Sequence, residues 1–387
     1  MPPDYLSLAS SCQLPMLITH IITGLNDGGA EAVLHRLCRH NAARNVHVVI
    51  SLMDEGKYGP LLATAGVQVH CLRMPPGKVR FKAFFTLLAL LRQLRPDVVQ
   101  CWMYHANLFG GIAARCAGSK KIFWGIHHSA LEPADSKRST RIVSRLCAFC
   151  SGFIPKKIIF CSTQSTSIHA NYGYDAKIFA VIPNGYDIQE FSPDDEAGKR
   201  LRHQLGIGDK TFVIGMVARF HPMKDHGNLL RALAIARKSL DDFHCLLVGT
   251  GITAENGTLN ALIEQFDLQK HISLLGRRND IPTIMNAVDI YSSSSSGEAF
   301  PNVLAEAMAC GTPCVTTDVG DSAFIVADGG WVVPAKDAAA LAQAILTAHA
   351  EAQNSTLWNI RKQRAREIIV EHFTIEKMVG AYVAVWS

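Results

Sequence analysis

A chain of 387 residues with 48% hydrophobic and 18% charged side chains has material for two packed domains of about 190 residues each, and is too apolar to be disordered. No apolar run reaches the roughly 18–20 residues that span a bilayer, and the first fifteen residues lack the basic start of a secretory leader. The net charge of +5 is unevenly spread, with 20 basic against 10 acidic residues over 1–188 and 15 against 3 between Arg73 and Lys157. The first half therefore faces an anionic partner, either a phosphate-bearing acceptor or a lipid surface. No nucleic-acid recognition motif accompanies this charge, so nucleic acid is not an expected partner.

Strand-like runs rich in β-branched residues follow in order: MLITHII (16–22), VHVVIS (46–51), VVQCW (98–102), IFWGI (122–126), KIIFCS (157–162) and FAVIPN (179–184). A second series comprises FVIGMVA (212–218), FHCLLVG (243–249), ISLLG (272–276), DIYSSSS (289–295) and PCVTTDV (313–319). Helix-length segments lie between them, among them 30–40, 82–95, 229–238, 258–266 and 338–350. This alternation predicts an α/β protein of two doubly wound, Rossmann-like domains. The turn-rich acidic stretch from Pro183 to Asp195 interrupts both series and puts the domains at 1–187 and 188–387. Met16 directly precedes the first strand, so residues 1–15 read as a loose tail or a start-codon artefact. Eleven scattered cysteines, several inside apolar runs, read as free thiols packed as small hydrophobes. Cys147 and Cys150 lack a second pair at zinc spacing. The expectation is a reduced, cytoplasmic protein.

Four loops carry candidate chemistry. Gly28 and Gly29 lie between the first strand and the first helix, where glycines let backbone N–H groups approach an anion. The spacing is not GxGxxG, and a tight strand-to-helix turn explains it equally well. His127 closes a strand, placed to hydrogen-bond a sugar hydroxyl or a phosphate. Arg219 and Lys224 share the loop after the first strand of the second series, where they can converge on one diphosphate. The longest signal is GEAFPNVLAEAMACG (297–311). There Pro301 suits a first helical position, leaving the amides of Asn302 and Val303 at a helix start. Glu298 falls in the loop and Glu306 inside the helix among apolar neighbours, each able to accept hydroxyl hydrogen bonds.

Together, Gly28-Gly29, His127, Arg219 with Lys224, and the Glu298-x7-Glu306 frame resemble the retaining GT-B glycosyltransferases of family 4 (glycosyl transferases group 1). Pro183-Asn184-Gly185-Tyr186-Asp187 with Phe191-Ser192-Pro193 looks like that family's interdomain passage, and the resemblance runs from about Met16 to Leu346. It implies a GT-B fold, with an acceptor-binding first domain, a donor-binding second domain, and a last helix crossing back to the first. By the same resemblance Glu306 would hold the donor ribose and Glu298 the donor sugar. Arg219 and Lys224 would neutralise the departing diphosphate, assisted by the Asn302 and Val303 amides and by Gly28-Gly29. His127 would sit by sugar and acceptor, Arg277 would lie near the base, and Phe300 would belong to the donor-contacting segment. Pro301 departs from the family pattern, where many relatives have Gly.

The resemblance implies a nucleotide-sugar donor, UDP-linked in preference to GDP-linked, and a saccharide or polyprenyl-diphosphate-linked acceptor in bacterial surface polysaccharide synthesis. No cofactor is implied. No Asp-x-Asp metal clamp occurs in the chain, so no metal is expected and the two cations would take its place. A nucleotide-sugar 2-epimerase of the same architecture and a non-catalytic membrane-binding protein are the competing readings. The basic and apolar stretches at 78–92 and 136–157 predict peripheral docking on anionic lipid at the inner face of the plasma membrane.

Overall fold

Continuous β-branched runs separated by helix-length segments form parallel sheets only when helices cover both faces. The computed structural model has two such sheets and describes residues 15–26, 28–75, 80–127 and 138–387. The first contains β1 (Leu17–Ile22), β2 (Val46–Ser51), β3 (Gln68–Cys71), β4 (Val98–Trp102), β5 (Ile122–Ile126), β6 (Lys157–Phe160) and β7 (Phe179–Val181). Their spatial order is β3-β2-β1-β4-β5-β6-β7, parallel throughout. Its helices are α1 (Gly29–Asn41), α2 (Tyr58–Thr64), α3 (Phe81–Leu94), α4 (Met103–Cys116), α5 (Arg138–Cys150) and α6 (Thr163–Asn171). The central strands β4 and β5 are buried along their whole length.

The second domain holds α7 (Asp195–Gln204), β8 (Phe212–Val217), α8 (His226–Ala236), β9 (Phe243–Val248), α9 (Gly257–Gln265), β10 (Ile272–Leu274), α10 (Ile281–Ala287) and β11 (Ile290–Ser293). It continues with α11 (Asn302–Ala309), β12 (Cys314–Thr317), α12 (Ser322–Val326), β13 (Gly330–Val333), α13 (Ala338–Ala352) and α14 (Ser355–His372). This sheet is also parallel, in the order β10-β9-β8-β11-β12-β13. The strand order reverses between β1 and β4 in one sheet and between β8 and β11 in the other. Such switch points open a crevice at the carboxyl ends of the strands.

The final helix, α15 (Ile375–Trp386), packs on the first domain. Its Ile375, Met378, Val379, Tyr382 and Trp386 join Ile18, Val33, Leu37 and Trp102 in one apolar cluster, and Trp386 Nε1 donates to Gln100 Oε1 at 3.1 Å. The chain thus passes between the domains twice. The two passages are tied by Tyr186 N to the Phe373 carbonyl and Ile375 N to the Tyr186 carbonyl, both at 2.9 Å. Gly185 fits there because a Cβ would lie 2.7 Å from both the Met378 Cβ and the Thr374 carbonyl oxygen.

Three details correct the sequence reading. Helix α11 starts at Asn302, and Pro301 stands just before it with a non-helical ψ of 94°. Strand β11 ends at Ser293, two residues short of the expected run, so the later serines form a loop. Strands β3 and β13, the outermost of their sheets, were not anticipated. Residues 1–14, Asp27, 76–79 and 128–137 lie outside the described residues, and with them most of the N-terminal tail and Lys137 of the second basic stretch.

Candidate active site

Beyond β8 the chain forms a single 3-10 turn over Pro222–Lys224, in which the Lys224 amide donates to the His221 carbonyl at 2.9 Å. Asp225 then takes a left-handed conformation (φ 46°) and caps α8, its side chain accepting from Asn228 N. The serine run after β11 braces this loop from behind. Ser294 Oγ donates to the carbonyls of Lys224 and Asp225 at 3.1 and 2.8 Å, and Ser296 N donates to the Met223 carbonyl at 2.8 Å. The Lys224 ammonium contacts Glu298 Oε1, and Ser295 Oγ donates to the same oxygen at 2.7 Å. Lys224 and Glu298 are thus brought together across the switch point of the second sheet. The Arg219 side chain is exposed in the same loop and makes no hydrogen bond or ion pair among the described residues. Its backbone runs over Gly249, where a Cβ would meet the Ala218 carbonyl oxygen at 2.1 Å. Arg277 is exposed beyond β10, directly after Gly276.

The loop bearing Glu298 is fixed by Gly320, whose φ of 58° and contacts exclude a side chain. A Cβ there would sit 2.6 Å from the Glu298 carbonyl oxygen and 2.5 Å from that of Ala299. Phe300 is buried and packs edge-on to Phe373 at 5.8 Å, and Val303 is partly buried against the same cluster. These two anchor the start of α11 by packing. The Asn302 and Val303 amides occupy its first turn, where no intrahelical acceptor exists.

The start of α11 faces the first domain. Asn302 Oδ1 accepts from Asn184 Nδ2 at 3.0 Å and from the Tyr186 hydroxyl at 2.6 Å. Gly29 lies so close that a Cβ on it would be 3.3 Å from Asn302 Nδ2. At Gly28 the missing side chain makes room for Glu31, whose carboxylate folds back to within 2.3 Å of where a Cβ would be. Gly29 and the helix start therefore meet across the cleft.

Glu306 is partly buried, and this burial pushes its carboxyl above the usual range while Arg36 opposes that shift. Arg36, on α1 of the first domain, places Nη1 3.7 Å from Glu306 Oε1 and its guanidinium 4.8 Å from the centre of the Tyr186 ring. His127 stacks on Trp102 with ring centres 5.2 Å apart. Burial and the nearby Arg36 push it down to about 4, so it is a neutral imidazole at neutral pH. Both of its ring nitrogens are shielded from solvent and lack a partner among the described residues.

Arg36, Ser295 and Gly320 escaped the sequence reading, and Tyr186 was read only as part of the interdomain passage. The apolar setting of Glu306 signalled that its carboxylate needs a partner, but that partner comes from the other domain. Of the described residues, only His20, Cys38 and His47 form a cluster of metal-ligand type. Trp102 Nε1 donates to His20 Nδ1 at 3.2 Å, which places the His20 proton on Nε2, 2.9 Å from His47 Nδ1. The lone pairs a cation would need are already engaged, and burial raises the Cys38 thiol far above its ordinary value.

The chain can therefore present cations, helix-start amides and neutral hydrogen-bonding groups to one ligand spanning both sheets. Two family models match it: Glycosyltransferase Family 4 over residues 27–190 and Glycosyl transferases group 1 over 198–365. The UDP-Gal:alpha-D-GlcNAc-diphosphoundecaprenol alpha-1,3-galactosyltransferase of Escherichia coli is 27% identical over 303 residues, 77% of each chain. A D-inositol 3-phosphate glycosyltransferase of Corynebacterium jeikeium is 36% identical over 169 residues, 41% of this chain and 40% of that one. The crystal structure of Anabaena HepE with UDP and glucose superposes with a TM-score of 0.82 at 23% identity, covering 95% of this chain and 98% of that one. WaaG, a glycosyltransferase involved in lipopolysaccharide biosynthesis, superposes at 0.71 with 17% identity over 95% and 99%. The chain belongs to the family 4, group 1 glycosyltransferases and is a transferase of the GT-B fold.

Proposed function

We propose that this enzyme transfers a sugar, with retention, from a nucleotide-diphosphate sugar to a hydroxyl of a polyprenyl-diphosphate-linked saccharide, in building a bacterial surface polysaccharide. A UDP-sugar is the favoured donor and a GDP-sugar the second. The observation that carries the reading is the Lys224–Glu298 contact at the switch point, opposite the meeting of Gly29 with Asn302. Breaking a glycosyl–diphosphate bond puts negative charge on the departing phosphate. Fixed cations and helix-start amides there act most strongly in the transition state. Arg219 and Lys224 supply that charge, with the Asn302 and Val303 amides and the Gly28-Gly29 backbone beside them. Glu298 binds the sugar, Glu306 the ribose, and Arg277 lies toward the base. Neutral His127 hydrogen-bonds the sugar, and the departing phosphate takes the acceptor proton. The E. coli relative's UDP-galactose donor and lipid-diphosphate acceptor support this choice of substrates, as does the UDP held by HepE.

The test is a panel of UDP- and GDP-hexoses offered with GlcNAc-diphosphoundecaprenol, in buffer containing EDTA. Acceptor-dependent release of nucleotide and a glycosylated lipid of unchanged anomeric configuration are expected. Strict dependence on magnesium or manganese would overturn the metal-free reading. Donor conversion without any acceptor would favour an epimerase.

A further inference from the structure

We propose that Arg36 is a positioning residue of the donor site, contributed across the cleft by the first domain, which keeps the Glu306 carboxylate ionised for the nucleotide ribose. The proposal rests on the ribose assignment of Glu306 made above. Arg36 is in the second turn of α1, and its side chain is 13% exposed against 16% for Glu306, with 3.7 Å between Nη1 and Oε1. The guanidinium lies on the Tyr186 ring, and the Tyr186 hydroxyl is tied to Asn302, so its position is set by the interdomain passage. Arg36 Nε and Nη2 are buried without a hydrogen-bond partner among the described residues. Two charged donors therefore remain unsatisfied beside the carboxylate, a state that a hydroxyl- or phosphate-bearing ligand relieves.

The surroundings of Glu306 explain why Arg36 is needed. Burial raises the carboxyl, Glu190 of the passage after β7 raises it further, and Arg36 of α1 lowers it. Its other titratable neighbours are Tyr186 of the passage, Tyr291 of β11, and Cys310 after α11, which Arg366 of α14 also faces. All three neighbours are themselves pushed upward by burial and stay neutral, so they add no negative charge, and none can supply the positive charge that Glu306 needs. A ribose diol offers two O–H donors, and an ionised carboxylate accepts both, whereas the protonated acid loses an acceptor site. Without Arg36 the acid form persists to higher pH, and nucleotide affinity then falls as pH is lowered.

The experiment is calorimetry of UDP and of GDP on the full chain, for wild type and for Arg36→Gln, Arg36→Lys, Glu306→Gln and the Arg36→Gln/Glu306→Gln pair. Comparing proteins at each pH cancels the ionisation of the nucleotide itself. Relative to wild type, Arg36→Gln is expected to weaken binding by about tenfold for each unit that the carboxyl is raised above the working pH. The deficit should shrink as pH is raised, follow the same course for both nucleotides, and vanish as a pH effect in the double variant. Arg36→Lys, which restores the charge, should keep the wild-type profile. A weakened Glu306→Gln with an Arg36→Gln profile parallel to wild type would overturn the role of Arg36 alone. If Glu306→Gln binds both nucleotides as wild type does, the ribose assignment falls, and the proposal with it.

Discussion

At the scale of single residues, Glu298 receives Lys224 and Ser295 on one carboxylate oxygen, and the two donors differ in kind. On the proposed reading the lysine brings charge to the place where the phosphate departs, whereas the serine only holds the carboxylate in position. Lys224→Ala is expected to lower the single-turnover rate by about 10²-fold or more, the scale for one oxyanion-stabilising donor. Ser295→Ala should cost about tenfold, the scale for one hydrogen bond to a charged group. Equal losses, or a near-wild-type Lys224→Ala, would contradict this division. The buried histidines make a second prediction. Burial pushes His47 and His226 down to about 4, so both are neutral in the folded chain at pH 6, whereas an unfolded chain protonates them near 6.5. The unfolded state therefore binds more protons below about pH 6.5. Stability should drop as pH falls from there toward 4, with a slope of up to about 1.4 kcal/mol per pH unit for each group. Urea midpoints measured from pH 8 to pH 5 read this directly, and a flat curve would show that these imidazoles are protonated in place.

At the scale of elements, strands with continuous apolar runs were legible because burial on both faces demands them: β4, VVQCW, and β5, IFWGI, sit at the boundaries expected. The strands that escaped, β3 and β13, are at sheet edges and only half-buried. An edge strand needs no such continuity, and β13 is bracketed by Gly329 and Pro334, which read as turns. Helix α11 was expected to begin with Pro301 as its first residue, but it starts at Asn302, because the fixed φ of Pro301 suits a cap as well as a first turn. Of the candidate site, the loops after strands could be read because they carry Gly, Lys and Glu in sequence order. The Arg36–Glu306 pair could not, because it exists only once the two sheets face each other. Helix α15 was expected to cross back only through the family resemblance, since its apolar face has meaning only against the first domain. Trp386 is fully buried there, donates to Gln100, and its carbonyl accepts from Lys121 Nζ at 3.1 Å. Trp386→Ala is expected to lose about 3–5 kcal/mol. Tryptophan-independent far-UV unfolding curves in urea measure it, and a loss under 1 kcal/mol would mean that α15 is only loosely docked.

At the scale of the whole molecule, the domains are held together by more than the two chain passages. Asp321 of the second domain accepts from Ser162 Oγ at 2.8 Å, Thr163 N at 2.8 Å and Gln164 N at 3.2 Å, and so caps α6 of the first. The exposed surface of the first domain carries a second feature. Helices α3 and α5 flank α4 on one side of the first sheet. On α3, Ala83, Leu87 and Leu91 turn inward, while Phe81 and Phe85 are 85% and 63% exposed beside exposed Arg80 and Lys82. On and after α5, Phe149 and Phe153 are 78% and 56% exposed, with Arg138, Arg145, Ile142, Leu146 and Lys156 also at the surface. Four exposed phenylalanines interleaved with cations and no acidic neighbour on either helix suit an anionic bilayer rather than water. Each basic residue contributes about 1 kcal/mol near such a surface, and shallow insertion of the rings adds to it. On the proposed reading a lipid-linked acceptor would meet the enzyme on that face. Binding to vesicles rich in anionic lipid is expected at low salt and should weaken as salt is raised. Arg138→Gln with Arg145→Gln should weaken it by about tenfold or more, and Phe149→Ser with Phe153→Ser should weaken it without altering its salt dependence. If the wild type ignores anionic vesicles at low salt and glycosylates water-soluble saccharides as fast as lipid-linked ones, the aromatic patch has another use and the acceptor is a small molecule.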